Sequence, residues 1–460
     1  MQDYTKPKDL DHAPTLDLKS TLSPRGYNVL KAALKPHELA AIKNELSVIP
    51  HVPGGPMPGA KPIEPNKLYL ESDTRIYVPK AYGLARWGPP EAIKIKPGKE
   101  AILTFQGDLR PEQAEPVDAM LRACRDPNKM GGILNVFCGG GKTTMALYIA
   151  GVLKRKTLIV VHKDFLLEQW SERIKQFVPS ASVGTIKAKV IDVKDHDIVI
   201  ASLQSLSMKE YDPAVFSDFG TVIIDEVHHT SAEVFSKALR KITFTYSIGL
   251  SATITRKDGL AKVFIWFLGP VAYKAAKRHD HIDVKQIDFM SPASEYSKVH
   301  MISTTKPNVS RMINNICEFM PRNDLIVSKI HEIFQEAPTR RMLVLSDRRA
   351  HLFQLQSMIK KEITTGIYVG GMKTAVLANN TSQIMFATYA IASEGYDQPG
   401  LDTLVLASPR SDVTQSVGRI LRDKPEARRN VPLVIDIVDG FSLFVSQGNK
   451  RRTFYKKCSS

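Results

Sequence analysis

Cysteine is scarce in this chain: four in 460 residues, at positions 124, 138, 317 and 458. No two are spaced Cys-x-x-Cys, which excludes the usual zinc and iron–sulfur frames and points to an intracellular, reducing compartment. The closest histidine sets, His228 with His229 and His279 with His281, have no cysteine at zinc spacing, so no metal site made by protein alone is expected. Uninterrupted apolar runs long enough to cross a bilayer are lacking, and no membrane partner is expected. The first residues hold no apolar core of a secretory leader. Short-period repeats and low-complexity tracts are missing too. Acidic residues are in deficit, 47 against 63 Lys plus Arg, giving a net charge of +16. Such an excess favours a polyanionic partner, because Lys and Arg release counterions from phosphate backbones.

What is present is globular. Hydrophobic residues make up 43% and charged ones 24%, and the mean hydropathy is −0.16. The length is too great for one ordinary core, so two or three domains are expected. Leu39, Ile42 and Leu46 recur at helical spacing over 36–48. Residues 51–66 are dense in Pro and Gly and read as a linker or long loop. Residues 67–79 read as two short strands with a turn near Ser72 and Asp73. A small N-terminal accessory module over 1–100 is therefore expected.

From about 101 the texture changes to short apolar strands alternating with amphipathic helices. The strand candidates are 133–137, 157–162, 197–202, 221–225 and 247–250. Each is a compact run rich in Val and Ile, as in strands buried on both faces of a parallel sheet. The alternation pauses between about 274 and 323. It resumes with 342–346, 366–369, 383–388, 403–407 and 433–437. The expected fold is α/β, with two tandem doubly wound parallel-sheet domains over 101–275 and 276–460. The tail 451–457 is basic with two aromatics, either a nucleic-acid contact or a solvated end.

The segment Ile133–Thr144 carries chemistry. A strand runs into Gly139, Gly140 and Gly141, then Lys142, Thr143 and Thr144, then a helix. Glycines let backbone N–H groups turn toward phosphates, and the helix start adds partial positive charge. Lys142 supplies charge to the β- and γ-phosphates, and the Thr143 hydroxyl supplies a ligand to Mg²⁺. Val136 stands where the strict phosphate-loop pattern has glycine. A Gly-rich turn with a chance Gly-Lys-Thr would not explain the strand before it or the helix after it. Cys138, inside the loop, has no evident base beside it and reads as a tolerated thiol.

Asp225 and Glu226 follow the apolar run 221–224. Acids placed there are costly unless they meet an ion or partner. Asp225 can hold Mg²⁺ and Glu226 can polarise the attacking water. His228 can link this site to the next motif, and His229 reads as structural.

With Asp225-Glu226-Val227-His228 the chain resembles the superfamily 2 DExH helicases. The resemblance implies that the two parallel-sheet domains are RecA-like and that Gln113, in Leu109–Gln113, reads adenine. It makes Ser251 and Thr253, in Gly249–Thr253, couple hydrolysis to domain movement. It puts His162, Lys163, Ser202 and Gln204 on the nucleic-acid backbone. In the second half, Met342–Ser346 is similar to the fourth motif and 387–389 with 394–397 to the fifth. Ser346 and Thr388 would then meet the strand, Gly395 would act in coupling, and Asp397 would meet the ATP ribose. Gln415–Arg422 has the full QxxGRxxR pattern, implying Gln415 in catalysis and Arg419 and Arg422 as arginine fingers.

Finer features resemble the xeroderma-pigmentosum-B-type and phage recombination-type DNA helicases: Leu167-Glu-Gln-Trp170, and Thr255–Gly259 followed by Phe267–Pro270. Tyr69–Pro79 with Tyr82 and Gly83 is similar to a region of helicases of large cytoplasmic DNA viruses, the poxvirus transcript-release helicase among them. A viral origin would imply a cytoplasmic viral factory or virion. The expected function is an ATP- and Mg²⁺-using DNA helicase or translocase, with transcription or replication proteins as further partners. A motor on RNA is the second reading. An ATP-binding scaffold or transcription-complex subunit is the third.

Overall fold

The structure is a computed structural model. It describes residues 18–49, 64–137, 139–227, 231–253, 259–276, 281–304, 306–370, 372, 381–393, 398, 400–423 and 428–459. The chain divides into two compact units, Met1–Ala275 and Ala276–Ser460.

The first unit contains an eight-stranded sheet. From one edge the order is 190–192, 183–187, 198–202, 157–161, 221–224, 246–251, 131–135 and 271–274. All neighbours run parallel except the 183–187 and 190–192 hairpin. The five inner strands are those expected from the apolar runs, and Thr157–Val161 and Ile198–Ser202 are buried at every position. The outer three, 183–187, 190–192 and 271–274, escape sequence reading for a physical reason. They lie at or next to the edges, are partly exposed, and carry polar residues such as Lys187 and Asp192.

The second unit has a six-stranded, wholly parallel sheet ordered 283–289, 433–439, 403–406, 342–346, 384–388 and 365–368. The edge strand Asp283–Phe289 lies where the sequence texture pauses, because its DVKQIDF alternates polar and apolar residues. The basic tail belongs to the helix Ser442–Ser459, with Arg451 and Tyr455 buried and Arg452, Thr453 and Lys456 exposed. Arg451 is 2% exposed and pairs with the fully buried Asp436 at 2.8 Å. The Tyr455 hydroxyl donates to the same carboxylate at 3.2 Å. A comparable buried pair, Arg322 with Asp439 at 2.7 Å, braces the strand end of 433–439.

The N-terminal module has its own five-stranded sheet, ordered 70–71, 75–78, 26–30, 21–23 and 92–93. It is not a separate domain, however. Tyr27, Ile76, Val78 and Tyr82 join one continuous core with Phe264, Trp266 and Phe267 of the helix Ala261–Leu268. The Tyr82 and Trp266 rings meet edge-on at 5.5 Å. At Gly83 a Cβ would lie 2.2 Å from the Tyr27 ring, so only glycine lets the helix Lys80–Trp87 approach its sheet. The boundary expected at 100 therefore marks a change of sheet inside one compact unit.

Lys80 fastens this seam. Its Nζ donates to the Met130 carbonyl at 3.1 Å, the Thr245 carbonyl at 2.8 Å and Ser247 Oγ at 3.2 Å, and lies 4.6 Å from the Phe244 ring centroid. Burial pushes the Lys80 ammonium down to about 7. The unfolded chain holds that proton up to its ordinary, higher value, so raising the pH favours the folded state. Wild type is expected to gain about 2 kcal/mol between about pH 7 and about pH 9 that Lys80→Met does not. Thermal melts of both proteins should show the Tm gap widening with pH. A constant gap would mean that the buried amine stays charged.

The described cysteines form no disulfide. Burial pushes the Cys124 thiol up to about 12 and that of Cys317 to about 11, so neither is primed for reaction. No described helix is long and apolar enough to cross a membrane.

Candidate nucleotide and nucleic-acid site

The first unit places its chemistry at the carboxyl ends of five adjacent parallel strands. The phosphate loop follows 131–135, Ser251 ends 246–251, Asp225 follows 221–224, His162 follows 157–161, and Ser202 ends 198–202. In open α/β sheets ligands bind outside these strand ends. Residues scattered over a hundred positions thus share one edge.

The loop is shaped by glycine. Gly139 and Gly141 have φ of +83° and +79°, in the left-handed region that favours glycine. Gly141 caps the helix Lys142–Leu153, whose first residues are Lys142, Thr143 and Thr144. Val136, the departure from the strict pattern, is buried, and its Cγ1 lies 2.4 Å from where a Gly140 Cβ would be. It packs beneath the loop instead of lining it. Its N–H donates to the Ser251 carbonyl at 3.0 Å, joining the loop to the Ser-Ala-Thr segment. There the Ser251 hydroxyl donates to the Thr253 carbonyl.

Gln113 stands on the first turn of the helix Pro111–Arg125 and is 2% exposed. Its Nε2 donates to the Gly140 carbonyl at 3.4 Å, and its Oε1 accepts from the Arg110 N–H at 2.9 Å. The candidate adenine reader is thereby held against the phosphate loop. A Cβ at Gly141 would lie 2.0 Å from that Nε2.

Lys142 Nζ lies 3.4 Å from Glu226 Oε1 and donates to the Val136 carbonyl at 3.3 Å. Glu226 has φ of +45°, a strained value for a side chain of its size, which turns it out of line with the strand. Asp225 is 9% exposed and accepts from Trp170 Nε1–H at 2.8 Å. Burial first, and then the Glu226 charge, push the Asp225 carboxyl up to about 6. Two adjacent acids facing one lysine fit a divalent cation, which would relieve both causes. Thr143, next to Lys142 in the first turn of its helix, would add a hydroxyl, so the donor set would be all oxygen, as Mg²⁺ requires.

Some expected contacts are repositioned by burial. Ser202 is 4% exposed at the start of the short helix Leu203–Met208, whereas Gln204 is exposed beyond it. Ser346 is fully buried: its Oγ meets His351 Nδ1 at 3.0 Å and accepts the Arg348 N–H at 3.1 Å. Both residues are buried in the structure, and the Ser346 hydroxyl is engaged by its own neighbours. His162, Lys163 and Thr388 are half-buried, and Thr388 pairs in register with Ser346 at the strand ends of the second sheet. In that unit Gln415 and Arg419 ride the helix Thr414–Ile420, Arg419 being 4% exposed, and a half-buried Arg422 follows. His228, Gly395, Asp397, Cys138 and most of Thr255–Gly259 lie outside the described residues, as does most of 51–66.

Sequence reasoning found Trp170 as a family mark but gave it no task. Its bond to Asp225 spans 55 positions. The available signal was general: a buried indole N–H must find an acceptor.

Comparison with known proteins agrees with this geometry. A family model described as "Type III restriction enzyme, res subunit" matches residues 106–256. A protein of Acanthamoeba polyphaga mimivirus named as an ATP-dependent RNA helicase is 35% identical, over 96% of this chain and 86% of its own. One of Invertebrate iridescent virus 6 named as a helicase is 26% identical, over 80% of this chain and 85% of its own. One of African swine fever virus, named as an ATP-dependent RNA helicase, is 26% identical over 70% of this chain and 67% of its own. With a phosphate loop, paired acids and Ser-Ala-Thr on one sheet edge, the chain belongs to the superfamily 2 helicases, alongside those of large DNA viruses, and is a nucleic-acid-dependent ATPase.

Proposed function

We propose that the protein is a motor on DNA, which moves along or unwinds the duplex as it hydrolyses ATP. The observation that carries this is the array on the carboxyl edge of the first sheet, where the phosphate loop, the Asp225 and Glu226 pair, Ser251 and His162 end neighbouring strands. Lys142 and the loop N–H groups bind the phosphates, and Gln113 sits against the loop to read the base. Asp225 and the Thr143 hydroxyl hold Mg²⁺, which when bound neutralises phosphate charge. Glu226 orients and polarises the attacking water. Arg419 and Arg422 offset the charge that grows on the γ-phosphoryl group. Ser251 and Thr253, bound to the loop through Val136, pass the change in the nucleotide to the strand-gripping segments.

Two features support DNA over RNA: the Leu167–Trp170 element, and the family description, which names a restriction enzyme. The names of two viral relatives favour RNA, so that reading stands second. The test is equilibrium binding of labelled duplex DNA, single-stranded DNA and RNA of one sequence across a salt series. Phosphate-led binding should weaken at least about tenfold between roughly 50 and roughly 200 mM salt. DNA should bind more tightly than RNA throughout. Preference for RNA would transfer the proposal to the second reading.

A further inference from the structure

The helix Asp164–Phe177 buries one face made of Leu166, Leu167, Trp170 and Ile174. Packing alone would be satisfied there by any large apolar side chain. Trp170 does something more. At 2% exposure its Nε1–H points to Asp225 Oδ2 at 2.8 Å, a short bond to a carboxylate in a dry setting. The other groups facing Asp225 are Glu226, which repels it, and Lys142, which lies nearer Glu226. Asp225 itself is held by its backbone, its N–H donating to the Val160 carbonyl at 3.0 Å. The carboxylate therefore has two donors, the neighbouring Glu226 backbone N–H and a single side chain, Trp170, which comes from an element outside the acid-bearing loop.

We propose that Trp170 is a positioning residue, whose indole N–H orients the Asp225 carboxylate toward the divalent cation that accompanies the nucleotide. This deepens the site reading above and rests on Asp225 being the metal-holding acid. Donors behind a ligand fix its orientation, and their loss weakens metal affinity more than it weakens the fold. The metal-free nucleotide meets the loop and Lys142, so its affinity does not depend on Trp170.

The test is calorimetric titration of the full chain with ADP, with and without Mg²⁺, for wild type, Trp170→Phe and Trp170→His. Phenylalanine keeps the apolar bulk and removes the donor, whereas a histidine ring N–H can restore it. Trp170→Phe should bind metal-free ADP as wild type does but lose most of the tightening that Mg²⁺ gives. Its half-saturating Mg²⁺ should rise about tenfold, in binding and in ATP turnover alike. Trp170→His should recover part of that loss. An unchanged Mg²⁺ dependence in Trp170→Phe, with only a lower Tm, would overturn the proposal and leave Trp170 a packing residue. If Trp170→Phe fails to fold, Trp170→Leu takes its place beside Trp170→His: a Mg²⁺ dependence weakened in Leu and partly regained in His supports the proposal, and the same Mg²⁺ dependence in both overturns it. An ADP affinity in wild type that ignores Mg²⁺ would instead overturn the assignment of Asp225, apart from any fault in Trp170.

Discussion

Glu226→Gln should bind ATP and hydrolyse it about 10²- to 10⁴-fold more slowly than wild type. The amide matches the acid in size, so the strained backbone at φ +45° and the strand before it stay as they are. What is lost is the charge that, in the proposed function, polarises water. Lys142 loses its 3.4 Å ion partner and keeps its bond to the Val136 carbonyl, so it remains available to phosphate. Removing the Glu226 charge also relieves one of the causes that push Asp225 upward, so the fold should melt no earlier than wild type. Single-turnover hydrolysis and nucleotide titration separate these effects. Hydrolysis within a few-fold of wild type would move water activation to another residue. Loss of ATP binding would mean that Glu226 serves the loop and not the water.

Arg422→Ala should lower ATP turnover about 10³-fold while nucleotide affinity changes little. Arg422 is the cleaner of the two arginines to test. It is half-buried just after the helix Thr414–Ile420, whereas Arg419 is 4% exposed and its removal would also disturb packing. Arg422→Lys should recover little, because a point charge does not reproduce a planar guanidinium across several phosphate oxygens. The measurement is kcat against nucleotide Kd for the three proteins, with melts to confirm folding. Equal kcat in all three would remove Arg422 from the reaction.

Legibility followed burial. Strands such as 157–161 and 342–346 are buried at every position and almost wholly apolar, so their runs alone located them, as they located the two parallel sheets. Edge strands such as 283–289 alternate with solvent and left no such trace. The accessory module looked separate because its sheet is local, but its core is made by tertiary contact of Tyr82 with Trp266 and of Lys80 with Thr245. No local pattern encodes those meetings. At the site, the residue types and order of the phosphate loop and the acid pair were legible because each needs a strand followed by a turn. The burial of Ser202 and Ser346 was not, since a serine at a strand end reads the same whether it faces solvent or a histidine. The Trp170 bond was hidden for a like reason, as nothing near Asp225 in sequence announces its donor.

The most direct measurement is the steady-state ATPase rate of the full chain with no nucleic acid, with single-stranded, duplex or forked DNA, and with RNA, each beside Glu226→Gln. A DNA motor predicts strong stimulation by DNA, weaker stimulation by RNA, and none in Glu226→Gln. A rate that no nucleic acid changes, or one that Glu226→Gln retains, would contradict it.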